Sequence, residues 1–178
     1  YLDQKETYNF LKRKKADYVI ICAALVGGID FNKRFKSRFL FENLQIQNNL
    51  IHGSYLAGTK NLIFLGSSCM YPKKVKTPIK ENELLSSYPE ETNDACVLAK
   101  IAGLKLCQYY SKNYKLNYKT LMPCNLYGPG DTYDLQKSHF YPALIKKIYF
   151  AKIKKKKFIE IWGSGSPRRE LLHVDDLA

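Results

Sequence analysis

The sequence has no long hydrophobic run, and its first residues do not have the form of a signal peptide. No apolar stretch in its 178 residues approaches the roughly 20 residues that a membrane-spanning helix needs. The opening residues, YLDQKETYNF, lack the basic, apolar and small-residue sections of a signal peptide. We therefore expect neither a membrane protein nor a membrane partner.

Cysteine is scarce and shows no pairing. Its five copies are an odd number spread through apolar or motif segments, so a disulfide framework is not indicated. The paired spacing of a zinc site is also missing, and we expect no bound metal. The pattern is typical of reduced thiols and predicts a cytoplasmic protein. The five are Cys22, Cys69, Cys96, Cys107 and Cys124.

Acidic residues are few beside basic ones. The chain has 16 Asp and Glu against 29 Lys and Arg, a net charge of +13. Much of the excess lies in lysine-rich runs at residues 12–15, 146–147 and 154–157. No zinc-finger, homeodomain or RNA-binding motif accompanies them, so nucleic acid is not the expected partner. Such a surface is either a solvated face or one that attracts the phosphates of a nucleotide or sugar nucleotide.

Residues 62–72, LIFLGSSCMYP, are the centre of the predicted fold. A chain that is 46% hydrophobic can bury one sizeable core, and the apolar run at 62–65 predicts a strand buried on both faces. Gly66, Ser67, Ser68 and Cys69 then place small, hydroxyl and thiol groups at its carboxyl end. Open α/β sheets bind their ligands at that end, so we expect the chemistry there.

Helical and strand patterns alternate along the chain. Helices are predicted over residues 6–14, 38–56, 94–113 and 142–152, and strands over 17–24, 62–65, 118–122 and 158–162. Residues 70–92, 125–130 and 163–167 are predicted loops. This alternation predicts an α/β fold with a parallel sheet and helices on both faces. The helical positions predicted to face inward are Tyr8, Phe10, Leu11, Leu40, Leu44, Gln47, Ile51, Tyr55, Val97, Ile101, Leu104 and Gln108.

Five motifs occur in a fixed order: LGSSCMYP, AKIAGLKLC, MPCNLYGPGD, SHFYPALIKK and WGSGSPRRELLHVDD. Together they resemble the GDP-L-fucose synthases, extended short-chain dehydrogenase/reductases similar in fold to the sugar-nucleotide epimerases. The resemblance runs from residue 23 to the end of the chain. It implies a Rossmann-like doubly wound parallel sheet. It also implies NADP(H)-dependent conversion of GDP-4-keto-6-deoxy-D-mannose to GDP-L-fucose, by epimerisation at two ring carbons and reduction of the ketone.

The resemblance implies five catalytic residues. Ser67 would hydrogen-bond the ketone oxygen, and Lys100 would hold the nicotinamide ribose and lower the pKa of a neighbouring acid. Cys69 and His139 match the family's epimerisation pair. A thiolate and an imidazole can both exchange protons near neutrality, which suits the acidic protons beside a ketone. The fifth residue, Cys96, occupies the position of the superfamily's proton donor.

Further positions match the family's binding residues. Those implied to contact the cofactor are Leu65, Gly66, Ser67, Ser68, Lys100, Pro123, Cys124, Asn125, Leu126 and His139. Lys147, Trp162 and Arg169 fall where the family contacts the GDP-sugar substrate. A guanidinium suits a pyrophosphate, and an indole can stack on a base or sugar. Lys147 stands where an arginine is expected, so the charge is kept but the bidentate fork is lost.

Two departures from the family pattern stand out. The superfamily has a tyrosine four positions before the lysine, whereas Cys96 precedes Lys100 here. A thiol is acidic enough to donate a proton but is shorter than a phenol, so we expect impaired reduction with proton exchange retained. The glycine-rich turn of the family's first strand is also absent. The resemblance therefore implies that this sequence is a fragment, without the family's first βαβ unit and most of its C-terminal substrate domain.

The resemblance also predicts domains and assembly. Residues 1–130 would form a partial NADP-binding domain, and residues 131–178 would begin the substrate-binding region. Two long helices carry apolar residues beyond one stripe, Phe39, Phe41, Ile46 and Tyr109 among them, so we expect a homodimer. Two other functions remain open: a related epimerase/reductase acting on another GDP-deoxysugar, and a non-catalytic relative that binds a sugar nucleotide.

Overall fold

The computed structural model describes residues 1–27, 29–135, 138–161 and 163–178. It divides into two units, the first of Tyr1–Val26 and Asn32–Met122, the second of Gly27–Phe31 and Pro123–Ala178. The helices are α1 Gln4–Lys14, α2 Ile29–Arg34, α3 Lys36–Leu56, α4 Asp94–Tyr114, α5 Phe140–Ile153 and α6 Val174–Leu177. The strands are β1 Tyr18–Ile21, β2 Asn61–Leu65, β3 Asn117–Leu121, β4 Asn125–Tyr127 and β5 Leu171–His173.

The first unit is built on a parallel three-stranded sheet of order β1-β2-β3. Val19 lies opposite Leu62, and Leu62 lies opposite Tyr118 in the next strand. The predicted parallel sheet is therefore confirmed, with β2 in its centre. One face of the sheet, with α1, α3 and α4, forms the core, whose buried members are Leu11, Ile21, Leu50, Ile51, Leu62, Phe64, Cys107 and Tyr118.

Strand β1 is shorter and less buried than predicted. Residues 17–24 were expected to form a buried strand, yet only Tyr18–Ile21 do so, and Tyr18 and Ile20 are 70% and 61% exposed. Alternate side chains of a strand point to opposite faces of the sheet, so Tyr18 and Ile20 share the face opposite to that of Ile21. In the described sheet β1 also lies at the edge. Only the face that carries Ile21 is packed.

Helix α3 buries a stripe different from the predicted one. Leu40, Leu44 and Tyr55 are only half-buried, whereas Phe39 and Asn43 lie inside together with the predicted Gln47 and Ile51. Asn43 Nδ2 donates to Leu25 O at 3.0 Å, and Asn43 Oδ1 accepts from Leu25 N at 2.7 Å. The prediction followed apolar residues, but backbone groups shielded from water need polar partners, and the side-chain amides on the inner face of α3 supply them.

Two further predicted positions were wrong. On α4, Val97, Ile101 and Leu104 are buried as expected, but Gln108 is exposed and the small thiol of Cys107 is buried in its place. On α1, Leu11 is buried while Phe10 is 39% exposed. The buried Phe39 lies inside the chain, so it cannot contribute to the second apolar face that was predicted on α3.

The second unit contains the parallel pair β4-β5 with helices α5 and α6. Strand β4 lies in a segment predicted to be a loop. Conversely, the strand predicted over residues 158–162 is not formed by residues 158–161, and Phe158 is 84% exposed. A strand needs a neighbour for its backbone groups, and among the described residues this segment has no such ladder. The predicted loop over residues 70–92 is confirmed, because it holds only short 3₁₀ turns.

Replacing Asn43 tests whether its amide anchors the chain after β1. Asn43→Ala removes the partners of the N–H and the carbonyl of the half-buried Leu25, so the free energy of unfolding is expected to fall by about 1 to 3 kcal/mol. Asn48→Ala removes the same amide from an exposed position of the same helix, so it is the matched control and is expected to change that free energy by less than about 0.5 kcal/mol. Urea denaturation measures both, and equal effects would contradict the anchor.

Candidate active site

A tight turn follows the central strand β2. Gly66 N donates to Leu121 O at 2.8 Å, and a Cβ at Gly66 would lie 3.2 Å from that same oxygen. Ser67 is extended, and its Oγ accepts a hydrogen bond from Cys69 N at 3.3 Å. Met70 is buried against α4. The turn is therefore anchored on both sides, with Ser67 half-buried and Cys69 exposed.

Lys100 is a buried cation at the same end of β2. Its side chain reaches from α4 so that Nζ donates to Leu65 O at 2.6 Å, and only 9% of the residue is exposed. Burial lowers the pKa of Lys100, and the thiols of Cys96 and Cys22 act in the opposite direction. The ammonium also lies 4.7 Å from the centroid of the Phe64 ring. Lys100 thus becomes neutral at a lower pH than an exposed lysine.

Cys96 lies one helical turn before Lys100 on α4. Burial raises the pKa of this half-buried thiol, the charge of Lys100 lowers it, and Cys69 raises it. Cys96 therefore stays protonated at neutral pH. The structure brings Ser67, Cys69, Cys96 and Lys100, four of the five predicted catalytic residues, to the carboxyl end of β2. Their catalytic roles stay predictions.

The remaining predicted residues belong to the second unit. Asn125 Nδ2 donates to Glu170 O at 3.0 Å, and Leu126 pairs with Leu172 in β4-β5. His139 is exposed at the N-terminus of α5, and its side chain makes no capping bond there. Next to it, Ser138 Oγ is buried without a hydrogen-bond partner in the part of the chain that the structure describes.

Two of the predicted substrate residues donate to backbone carbonyls. Lys147 Nζ donates to Glu160 O at 2.9 Å, and the exposed Arg169 donates to Arg168 O at 2.9 Å. Trp162 lies outside the described residues. Their roles, and those of Pro123 and Cys124, stay predictions.

Sequence reasoning missed two residues that shape the site. Lys36 at the start of α3 forms an ion pair with Asp94 at 3.0 Å and donates to Glu91 O at 2.9 Å, which fixes the start of α4. No local pattern could reveal this pair, because its members lie on different helices. Phe64 was predicted only as part of a buried strand, yet its ring lies beneath Lys100.

The irregular segment after the turn forms an open pocket of about 500 Å³, lined by Tyr71, Ile79, Lys80, Glu81 and Asn82. Burial, and then the charge of Glu81, raise the pKa of Tyr71.

No group of three or more metal-binding side chains occurs among the described residues, and none of their helices is long and apolar enough to cross a bilayer. The reactive groups described at the carboxyl end of β2 are the thiols of Cys69 and Cys96, the hydroxyl of Ser67 and the ammonium of Lys100.

A parallel sheet with a buried lysine and a serine turn at its carboxyl edge is the arrangement of a Rossmann-like α/β protein. The chain belongs to the NAD dependent epimerase/dehydratase family, whose model matches residues 1–178. This membership agrees with the predicted fold class.

Relatives place it more closely within that family. The chain is 48% identical over 173 residues to the GDP-L-fucose synthase of Sinorhizobium fredii, covering 97% of this chain and 55% of the relative. It is 42% identical over 177 residues to that of Escherichia coli K12, covering 99% and 55%. A crystal structure of a GDP-D-glycero-L-gluco-heptose synthase from Campylobacter jejuni, in the presence of NADPH, matches with a TM-score of 0.88 at 35% identity, covering 99% and 60%. The chain thus spans about half the length of the curated relatives it matches.

Alkylation of Cys96 tests the electrostatic link to Lys100. Because the charge of Lys100 lowers the pKa of Cys96, Lys100→Met is expected to raise that pKa and to slow alkylation by iodoacetamide at pH 8 roughly fivefold, the factor that a charge interaction of about 1 kcal/mol produces. Lys105→Met on the same helix is the matched control and is expected to leave the rate unchanged. Peptide mass spectrometry measures the rate at each cysteine, and equal rates at Cys96 in both variants would refute the link.

Proposed function

We propose that this chain carries part of an NADPH-dependent epimerase/reductase that converts GDP-4-keto-6-deoxy-D-mannose to GDP-L-fucose. The observation that carries the proposal is the buried Lys100 ammonium on Leu65 O, beside the turn that presents Ser67 and Cys69. The similarity to GDP-L-fucose synthases over nearly the whole chain supports the choice of reaction.

The described residues fit a nicotinamide dinucleotide. A lysine ammonium has three donors, and the hydrogen bond to Leu65 O uses one, which leaves N–H groups for ribose hydroxyls. Gly66 has no Cβ, and this allows the turn after β2 to pack closely against Met70 Sδ and Leu121 O. When bound, NADPH would supply the hydride for reduction. The residues proposed to hold it are Leu65, Gly66, Ser67, Ser68, Lys100, Pro123, Cys124, Asn125, Leu126 and His139. The solved relative from C. jejuni, whose structure was determined in the presence of NADPH, supports the choice of cofactor.

Ser67 is suited to polarise the ketone. Its Oγ already accepts an N–H from Cys69, so its own proton is available to a carbonyl oxygen of the substrate. A hydrogen bond to that oxygen stabilises the enolate that forms when a neighbouring C–H proton leaves. We assign Cys69 and His139 to this proton exchange, one removing the proton from one face of the sugar and the other returning it to the opposite face.

Cys96 weakens the final reduction in this proposal. Its raised pKa keeps the thiol protonated, so the group that should donate a proton to the ketone oxygen carries one. Reach is the difficulty, because a cysteine side chain ends several bonds short of a tyrosine hydroxyl. Epimerisation does not need this donor. The expected enzyme therefore exchanges protons faster than it reduces.

Residues 131–178 would begin the region that binds the GDP part of the substrate. Lys147, Arg169 and Trp162 are the residues proposed for this role, with the two cations near the pyrophosphate and the indole on a base or sugar ring. The functional boundary proposed at residue 130 places the three substrate-binding residues after it, while the cofactor-binding residues lie before it except for His139.

Two other functions are favoured by particular observations. The heptose synthase from C. jejuni favours a related epimerase/reductase acting on another GDP-deoxysugar, which would use the same turn and lysine. The thiol at position 96 favours a non-catalytic relative that binds a sugar nucleotide.

We also propose a homodimer formed by the outer faces of α3 and α4. Phe41 and Tyr109 are 67% and 58% exposed on these two helices, which leaves apolar surface for a second copy. Phe39, which is buried, takes no part in it.

Substitution at Cys96 separates these possibilities in the intact protein. With NADPH and GDP-4-keto-6-deoxy-D-mannose in deuterated water, the wild type is expected to incorporate deuterium beside the ketone while oxidising NADPH slowly. Cys96→Tyr is expected to raise NADPH oxidation roughly 100-fold or more, which is the usual contribution of a positioned general acid. Cys96→Phe adds the ring without the hydroxyl and is the matched control.

The results for the wild type and the two Cys96 variants distinguish the proposed functions. Deuterium incorporation without a gain from Cys96→Tyr would refute the role given to residue 96. Equal gains in the Tyr and Phe variants would show that packing, not proton donation, limits the reaction. A wild type that does neither reaction but binds the GDP-sugar would favour the non-catalytic function.

A further inference from the structure

The ammonium of Lys100 has two partners of different kinds. It donates to Leu65 O at 2.6 Å, and it lies 4.7 Å from the centroid of the Phe64 ring. An ammonium over an aromatic face is attracted by the ring's negative quadrupole, most strongly where water is excluded. Phe64 is fully buried and Lys100 nearly so, so this contact is shielded from solvent.

The Phe64 ring can occupy this position only because residue 103 has no side chain. A Cβ built on Gly103 would lie 2.7 Å from both the Cε1 and the Cζ atoms of Phe64, and 2.9 Å from Gln47 Oε1. Real Cβ atoms do not approach so closely, so the ring or the helix would have to move. Glycine is unfavourable inside a helix, and its presence in the middle of α4 therefore has a packing reason.

Gln47 fixes the helix next to the lysine. Its Nε2 donates to Ala99 O at 2.6 Å, and both residues are buried. Ala99 directly precedes Lys100, so α3 holds the backbone of α4 at the root of the lysine side chain. Gln47 thus fixes the backbone next to Lys100, the Phe64 ring packs against the ammonium, and Leu65 O accepts its hydrogen bond.

We propose that Phe64 is a positioning residue for Lys100, and that Gly103 is required because it leaves room for the ring beneath the ammonium. The consequence for catalysis rests on the proposed function of Lys100 in holding the cofactor ribose. The placement of the ammonium itself follows from the contacts and can be measured without turnover.

Removing the aromatic face changes the titration of Lys100 in a defined direction. The ring favours the charged ammonium, so its loss lowers the pKa of a lysine that burial has already lowered. The titratable groups that act on Lys100 are the thiols of Cys96 and Cys22, and both remain in the variant. The neutral form therefore appears at lower pH, and the alkaline limb of any activity that needs the ammonium moves with it.

The test uses the intact protein labelled with ¹³Cε-lysine, in which the Lys100 signal is assigned by its loss in Lys100→Arg. In Phe64→Leu the titration midpoint of this signal is expected at lower pH than in the wild type. The KM for NADPH is expected to rise roughly two- to fivefold at neutral pH, with a smaller change in kcat. Phe39→Leu, at another fully buried phenylalanine, is the control for lost packing and is expected to leave the Lys100 midpoint in place.

A second variant covers the case in which Phe64→Leu does not fold. Phe64→Met fills a similar volume without an aromatic face and is expected to shift the midpoint in the same direction. An unchanged midpoint in the folded variant would overturn the positioning role. If the wild type shows no turnover, the proposed function fails, and the titration still decides the role of Phe64.

Gly103→Ala tests the space beneath the ring. It is expected to destabilise the wild type more than the Phe64→Leu background, because leucine lacks the ring atoms that the new Cβ would meet, while the contact with Gln47 Oε1 is common to both. Equal losses of stability in the two backgrounds would overturn the requirement for glycine.

Discussion

The candidate site depends on one buried hydrogen bond, from the ammonium of Lys100 to the carbonyl of Leu65. A charged donor shielded from water binds its acceptor strongly and is costly to leave unpaired, so this contact ties α4 to the end of the central strand. Ser67 follows that carbonyl by two residues, and Cys96 precedes the lysine by one helical turn. The hydrogen bond between Lys100 and Leu65 therefore fixes the positions of Ser67 in the turn and Cys96 on the helix relative to each other.

Helix α3 stabilises neighbouring backbone segments through side-chain amides as well as through apolar contacts. Asn43 binds both backbone groups of Leu25 after β1, and Gln47 binds Ala99 on α4. These two side chains lie one helical turn apart, so a single helix sets the position of two segments next to the candidate site. Buried amides are costly unless paired, and here each finds a backbone partner that would otherwise be incomplete.

The sequence predicted the parts of the fold whose signals are local. The apolar run of β2 and the turn after it, the long helices, and the position of Lys100 were all readable from pattern or motif. Apolar periodicity misplaced the buried face of α3 because it always assigns the apolar Leu44, and not the polar Asn43, to the interior. It also predicted a strand over residues 158–162, where Phe158 and Ile161 have strand-forming side chains but are exposed. Strand β4 was missed because three residues carry no periodic signal, and its partner β5 lies far along the chain.

The glycine in the middle of α4 has an evolutionary consequence. Any base change in a glycine codon that yields another amino acid adds a Cβ, and at Gly103 that carbon would meet the Phe64 ring. Substitution at position 103 is therefore disfavoured while Phe64 remains, and it first requires a smaller residue on the strand and a shift of the Gln47 side chain. The two positions are expected to change together in homologous proteins, although they lie on different elements and far apart in the sequence.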